Sequence, residues 1–166
     1  MKAAGSGNGH PRPASTIVRG RSHAGARRPK LRGGFVLDSH ALLAYLEGEA
    51  SGEFVRDLIA AAERRRVRLY LSLINWGEVV YIVRREKGDV AAQEVTARID
   101  VAPITLHGVD RPLVHTAAML KAQHPIAYAD AFAAATAKAL QCPVVTGDPE
   151  FRRLANDVDI VWTTKT

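Results

Sequence analysis

The feature that most constrains this chain is an alternation of short apolar runs with longer stretches of helical spacing. Residues 34–37, 67–71, 101–106 and 142–146 read as short strands, and 159–162 is a candidate fifth. Between them, Phe54, Val55, Leu58, Ile59 and Ala62 recur at three- and four-residue intervals, as do Leu73, Trp76, Val80 and Val83. Gly88 closes that second helix, Pro112 sits in the first turn of another over 111–123, and an alanine-rich helix covers 127–140. Residues 89–98 read as a further helix. Parallel strands need crossover connections, so strands separated by helices imply an α/β sandwich. The expected sheet is central and parallel, with about four to five strands and helices on both faces.

This topology gathers acids that are far apart in sequence. Asp38 and Asp148 follow short apolar strands, and the carboxyl ends of parallel strands share one edge, where open α/β sheets bind ligands. Crossover helices begin at that same edge, which places Asp130 there, in the first turn of its helix. Glu78 lies about seven residues beyond a strand end, no more than roughly 10 Å below its helix start at 1.5 Å per residue, and its side chain tilts back towards that end. Each acid also has an ordinary explanation. Asp38 and Asp148 suit helix caps, Asp130 complements a positive helix end, and Glu78 could be solvated. Together, four carboxylates would repel by several kcal/mol per close pair at an effective dielectric of about 20. No lysine or arginine neighbours three of them. A hard divalent cation, Mg²⁺ or Mn²⁺, is the simplest counter-charge, and phosphodiester hydrolysis is the chemistry it suits.

Composition narrows the setting. With 166 residues, 47% of them apolar, there is material for one core. The net charge of +6 belongs to residues 1–33, which carry eight basic residues and no acid, leaving fifteen basic against seventeen acidic residues in the body. That Gly-, Pro-, Ser- and Arg-rich tail is expected to be disordered, and could add sequence-independent phosphate contacts or have no role. The domain is expected over 34–166. A single cysteine, Cys142, allows no internal disulfide, and no apolar run approaches a membrane span, so a soluble, cytoplasmic protein is expected.

Four blocks in order resemble the PIN-domain family, most closely its VapC-type toxins: residues 37–46 (LDSHALLAYL), 72–79 (SLINWGEV), 128–137 (YADAFAAATA) and 146–151 (TGDPEF). The resemblance covers roughly 34–162. It implies a PIN-like three-layer fold, with Asp38, Glu78, Asp130 and Asp148 as the catalytic metal-binding set and Ser39 and Thr146 as supporting polar neighbours. It further implies an Mg²⁺- or Mn²⁺-dependent endoribonuclease, a homodimer, and a cognate antitoxin whose C-terminal segment blocks the acidic groove. Toxins of this type usually lack the basic extension. Asn75 lies three residues before Glu78 on the same helical face, as a ligand-orienting group or a surface amide. His40 is read as structural or exposed and not as a ligand, because hard-metal sites favour carboxylates.

Two rivals remain at this stage. One is a catalytically inactive PIN-like module that binds RNA or protein. The other is a phosphotransfer enzyme with Asp38 as nucleophile, which an Asp-x-Asp strand end would support; His40 stands where its general acid would be.

Overall fold

In β2 (Val67–Ser72) the side chains of Val67, Leu69 and Leu71 are buried while Arg68 is exposed, the period-two signature of a strand with one face on a core. The computed structural model describes residues 33–163. The expected basic tail lies outside them, except for Gly33. The other strands are β1 (Gly33–Leu37), β3 (Ile104–His107), β4 (Val144–Thr146) and β5 (Ile160–Trp162). They form one sheet in the order β3-β2-β1-β4-β5, and every pairing is parallel.

The helices are α1 (Ser39–Leu46), α2 (Glu53–Glu63), α3 (Leu73–Val101), α4 (Arg111–Gln123) and α5 (Tyr128–Leu140). Two cores lie on opposite faces of the sheet. Phe35 and Leu37 of β1 pack with buried residues of α1, α2 and α3, whereas Val36, pointing the other way, packs with α4, α5 and Phe151. The layers are therefore helix, sheet, helix, as expected. No helix among the described residues is long and apolar enough to cross a membrane.

Two local departures from the sequence reading have physical causes, and one expected break is met. Residues 101–103 are not strand: Val101 ends α3, Ala102 caps it, and β3 starts only at Ile104. The expected break at Gly88 is present, with φ 87° and ψ 179°, and two helical arms meet at this kink within α3. The buried stripe of the first arm of α3 is Asn75, Val79 and Val83; Leu73 is exposed and Trp76 and Val80 are only half-buried. A polar residue on the buried face shifted the apparent stripe.

Candidate active site

Chain order reverses between β1 and β4. From β1 the sheet runs outward through β2 and β3 on one side, and through β4 and β5 on the other. Such a switch point opens a crevice beyond the strand carboxyl ends. Asp38 follows β1 and Asp148 follows β4, so both stand at that crevice.

The ordinary roles weighed for three of the acids are real. Asp38 caps α1, its Oδ1 accepting from the Ala41 N–H at 2.7 Å. Asp148 caps the 3-10 turn Pro149–Leu154, its Oδ1 accepting from Glu150 N–H at 2.8 Å. Asp130, at the third position of α5, reaches back with Oδ2 to the Ala127 N–H at 3.2 Å. Capping engages one oxygen of each carboxylate and leaves the other outside the cap. Capping and ligand binding are thus compatible uses of one side chain.

The polar neighbours form a frame. The buried Thr146 hydroxyl donates to Asp38 Oδ2 at 2.5 Å and accepts the Asp148 N–H at 2.9 Å, tying the two strand-end acids together. Asn75 is fully buried. Its Nδ2 donates to Ser39 Oγ at 3.0 Å and to the Ala129 carbonyl at 3.2 Å, while Ser39 Oγ donates to the Asn75 carbonyl at 3.3 Å. One amide therefore joins the starts of α1, α3 and α5, the helices carrying or adjoining Asp38, Glu78 and Asp130. Asn75 Oδ1 is buried with no partner among the described residues. Of the two readings of Asn75, the surface amide is excluded. His40 is exposed, its ring lying where a Cβ on Gly147 would meet it, at 2.9 Å.

The carboxylates are close enough to perturb one another. Burial pushes the Asp38 carboxyl up to about 7 against the lowering hydrogen bonds from Thr146 and Ala41, and Asp130 and Asp148 add repulsion. Burial likewise raises Asp130 to about 7, reinforced by Asp148, Glu78 and Glu150 and opposed by the Ala127 N–H. Asp130 is the hub: Glu78, half-buried on α3, joins the group through it. Glu150 is the acid the sequence reading left unassigned. Its signal was its position two residues after Asp148, across Pro149, in the turn Asp148 caps.

Among the described residues no three His, Cys, Asp or Glu side chains converge closely enough to hold a metal ion as they stand. The donor chemistry nevertheless fits one: all-oxygen ligands, two of them held from ionising by burial and mutual repulsion, with no lysine or arginine paired to Asp38, Glu78, Asp130 or Asp148 among the described residues. Prominent concavities, of about 400 to 540 Å³, are lined by other residues. An open edge suits a polymeric substrate better than an enclosed pocket does.

A family model described as PIN domain matches residues 35–157. No curated protein matches the sequence. Among solved structures, VapBC2 from Rickettsia felis bound to a promoter DNA fragment aligns with a TM-score of 0.62 at 18% identity, covering 78% of this chain and 98% of that one. Mycobacterium tuberculosis VapC20, described as a sarcin-ricin loop cleaving toxin, aligns at 0.60 and 20% identity, covering 75% and 97%. A toxin-antitoxin complex from Klebsiella pneumoniae aligns at 0.59 and 16% identity, covering 79% and 98%.

Proposed function

The chain belongs to the PIN-domain family, and from that premise we propose that it is a divalent-metal-dependent endoribonuclease, the toxin of a toxin–antitoxin pair. The observation that carries this reading is the gathering of Asp38 and Asp148, joined through Thr146, with Asp130 at the switch point of the sheet, where burial first and the neighbouring acids second raise Asp38 and Asp130, and where Glu78 acts on Asp130. Carboxylates placed so that two resist ionisation near neutral pH are costly unless a cation offsets them. In this reading Asp38, Asp130 and Asp148, with Glu78 beyond Asp130, hold Mg²⁺ or Mn²⁺.

The bound ion supplies water activation and stabilisation of the leaving oxygen. The protein's own part is orientation. Thr146 fixes Asp38 against Asp148, and Asn75 fixes the helices on which the other ligands ride. Loading releases the protons that Asp38 and Asp130 otherwise retain, so affinity for the ion rises with pH through about 7. RNA as substrate and an antitoxin as partner are parts of the same proposal, supported by solved structures described as a sarcin-ricin loop cleaving toxin and as toxin-antitoxin complexes; a second copy of this chain is proposed with them on the family resemblance alone. Exposed Leu73, Ile74 and Tyr81 flank Glu78 on α3 as an apolar surface for a protein partner.

Cleavage of a structured RNA with Mn²⁺ or Mg²⁺, and its absence in EDTA, tests the proposal; a protein that leaves RNA intact at millimolar metal and in the absence of any antitoxin would refute it. One observation favours a module that binds without cutting, namely that no three site side chains converge. Calorimetric titration with Mn²⁺ separates the two, because the binding-only module takes up no ion at this edge.

A further inference from the structure

We infer that the opposite, amino edge of the sheet is a second binding surface, taking the sugar-phosphate backbone of RNA without regard to sequence. Arg64, Arg65 and Arg66 follow α2, Arg68 lies on β2, and all four are exposed. One cation would suffice to complement the helix end. Arg64 fills that role, its guanidinium donating to the Ala60 carbonyl at 3.3 Å. Arg65, Arg66 and Arg68 form no ion pair among the described residues.

The backbone here works against an arginine. The Arg65 N–H donates to the Ala62 carbonyl and the Arg66 N–H to the Ala61 carbonyl, closing α2 with Arg65 at φ 54°, a left-handed position that glycine occupies most readily. Gln141 tolerates the same conformation after α5, so it is the identity of the side chain and its surroundings that carry weight. Arg65 and Arg68 line an open groove of about 500 Å³ with Ala62, Val67, Pro103 and Ile104. Two guanidinium groups beside an apolar surface match a phosphodiester chain, because each planar fork grips phosphate through paired hydrogen bonds.

The groove also lies where further positive charge joins the fold. Gly33 pairs with Val67 and Gly34 with Arg68, so the acid-free stretch carrying eight basic residues is attached in sequence beside these arginines. A five-residue strand at about 3.3 Å per residue sets this edge roughly 17 Å from the carboxylates. RNA held here is held away from the cleavage chemistry, as an anchoring site. The choice of RNA over other polyanions rests on the nuclease reading; the existence of a phosphate-binding surface does not.

The test is binding of a fluorescent single-stranded RNA to the full chain in EDTA, over a range of salt, for the parent, for Arg65→Gly with Arg68→Gln, and for Arg84→Gln with Arg85→Gln. The last pair removes equal charge from α3, where Arg84 and Arg85 already pair with Asp89 and Glu86. Loss of two phosphate contacts lowers the slope of log affinity against log salt by about 1.4, with affinity down about tenfold at low salt. The α3 variant keeps the parental slope. Arg65→Gly alone keeps or raises the thermal midpoint, so weakened binding is not unfolding. An unchanged slope, an equal loss in the α3 variant, or tighter binding of duplex DNA of the same length overturns the proposal. Since nothing is cleaved in EDTA, failure of the nuclease reading shows elsewhere, as absent metal-dependent cleavage.

Discussion

The two edges of the sheet carry opposite charge in opposite physical states. At the carboxyl edge Asp38 and Asp130 are buried, each bonded to a backbone N–H, and repelled by neighbouring acids. At the amino edge Arg65, Arg66 and Arg68 are exposed and solvated. Buried charge is expensive and exposed charge is nearly free. The carboxyl edge therefore spends fold stability on the acids proposed to hold a cation, whereas the amino edge concentrates charge at little cost beyond one left-handed arginine. Variants at the first edge should trade stability against activity; variants at the second should change binding alone.

The sharpest break of that contrast is Asp130→Asn. With one ligand neutralised, metal-dependent RNA cleavage should fall about a thousandfold, the scale on which removing one preorganised charge-stabilising group acts. The same variant should be more stable than the parent in EDTA at pH 8, because asparagine retains an oxygen for the Ala127 N–H and carries no charge. A variant that is both active and less stable removes Asp130 from the site and from the contrast together.

The pH dependence sharpens the same point. Asp130 moves from 3.8 to about 7 on folding, so between those values the folded protein holds a proton that the unfolded chain has lost. This contribution is fully present below about pH 4, declines as pH rises, and is gone above about pH 7. Relative to Asp130→Asn, the metal-free parent should lose about 2 to 4 kcal/mol across that window. For a chain of this size that is a gap in thermal midpoint of about 5 to 10 °C, absent near pH 4 and open at pH 8. Saturating Mn²⁺ should close it.

How legible these edges were in sequence follows the same division. The strand–helix alternation exposed the sheet, and strand-end acids pointed to the carboxyl edge, because both rest on local pattern plus one topological rule. Asn75 was harder. A buried amide reads as a break in an apolar stripe, so the stripe was drawn through Leu73 and Trp76 when the buried face was Asn75, Val79 and Val83. Its partners, Ser39 and Ala129, are 36 and 54 residues away. Glu150 was hidden by the more obvious Asp148. The basic edge leaves no signal of its own, because arginines after a helix complement its C-terminal end in any fold, and only the pairing of β1 with β2 sets the start of β1 beside them.

Asn75 gives the next effect in size. Asn75→Ala leaves the Ala129 carbonyl and the Ser39 hydroxyl without their donor, costing about 1 to 3 kcal/mol of stability. If the amide positions the helices, kcat should fall roughly tenfold with little change in RNA affinity, a split that simple loss of folded protein does not produce. Asn75→Asp should not rescue, because it removes the donating group and adds a further acid. Kinetics indistinguishable from the parent would reduce Asn75 to a packing residue.

The smallest effects on activity come from a glycine near each edge. A Cβ on Gly34, in β1, would stand 2.5 Å from Cys142 Sγ and 3.1 Å from the Tyr70 ring, both half-buried against the sheet. Neither can move far, so Gly34→Ala should cost about 1 to 3 kcal/mol, the usual range for overpacking. A Cβ on Gly147 would meet Thr163 Oγ1 at 2.7 Å and the His40 ring at 2.9 Å. His40 is exposed and can swing into solvent, and the buried Thr163 hydroxyl, whose backbone N–H is held by the Thr146 carbonyl, has to give by a few tenths of an ångström, so Gly147→Ala should cost about 1 kcal/mol. Its signature lies in function. Displacing the His40 ring from beside Gly147, next in sequence to Asp148, should change RNA cleavage by a few-fold while the thermal midpoint barely moves. Should Gly147→Ala prove as destabilising as Gly34→Ala, the imidazole is fixed in place at the carboxyl edge, and His40 belongs with Thr146 and Asn75 in the frame that holds the acids.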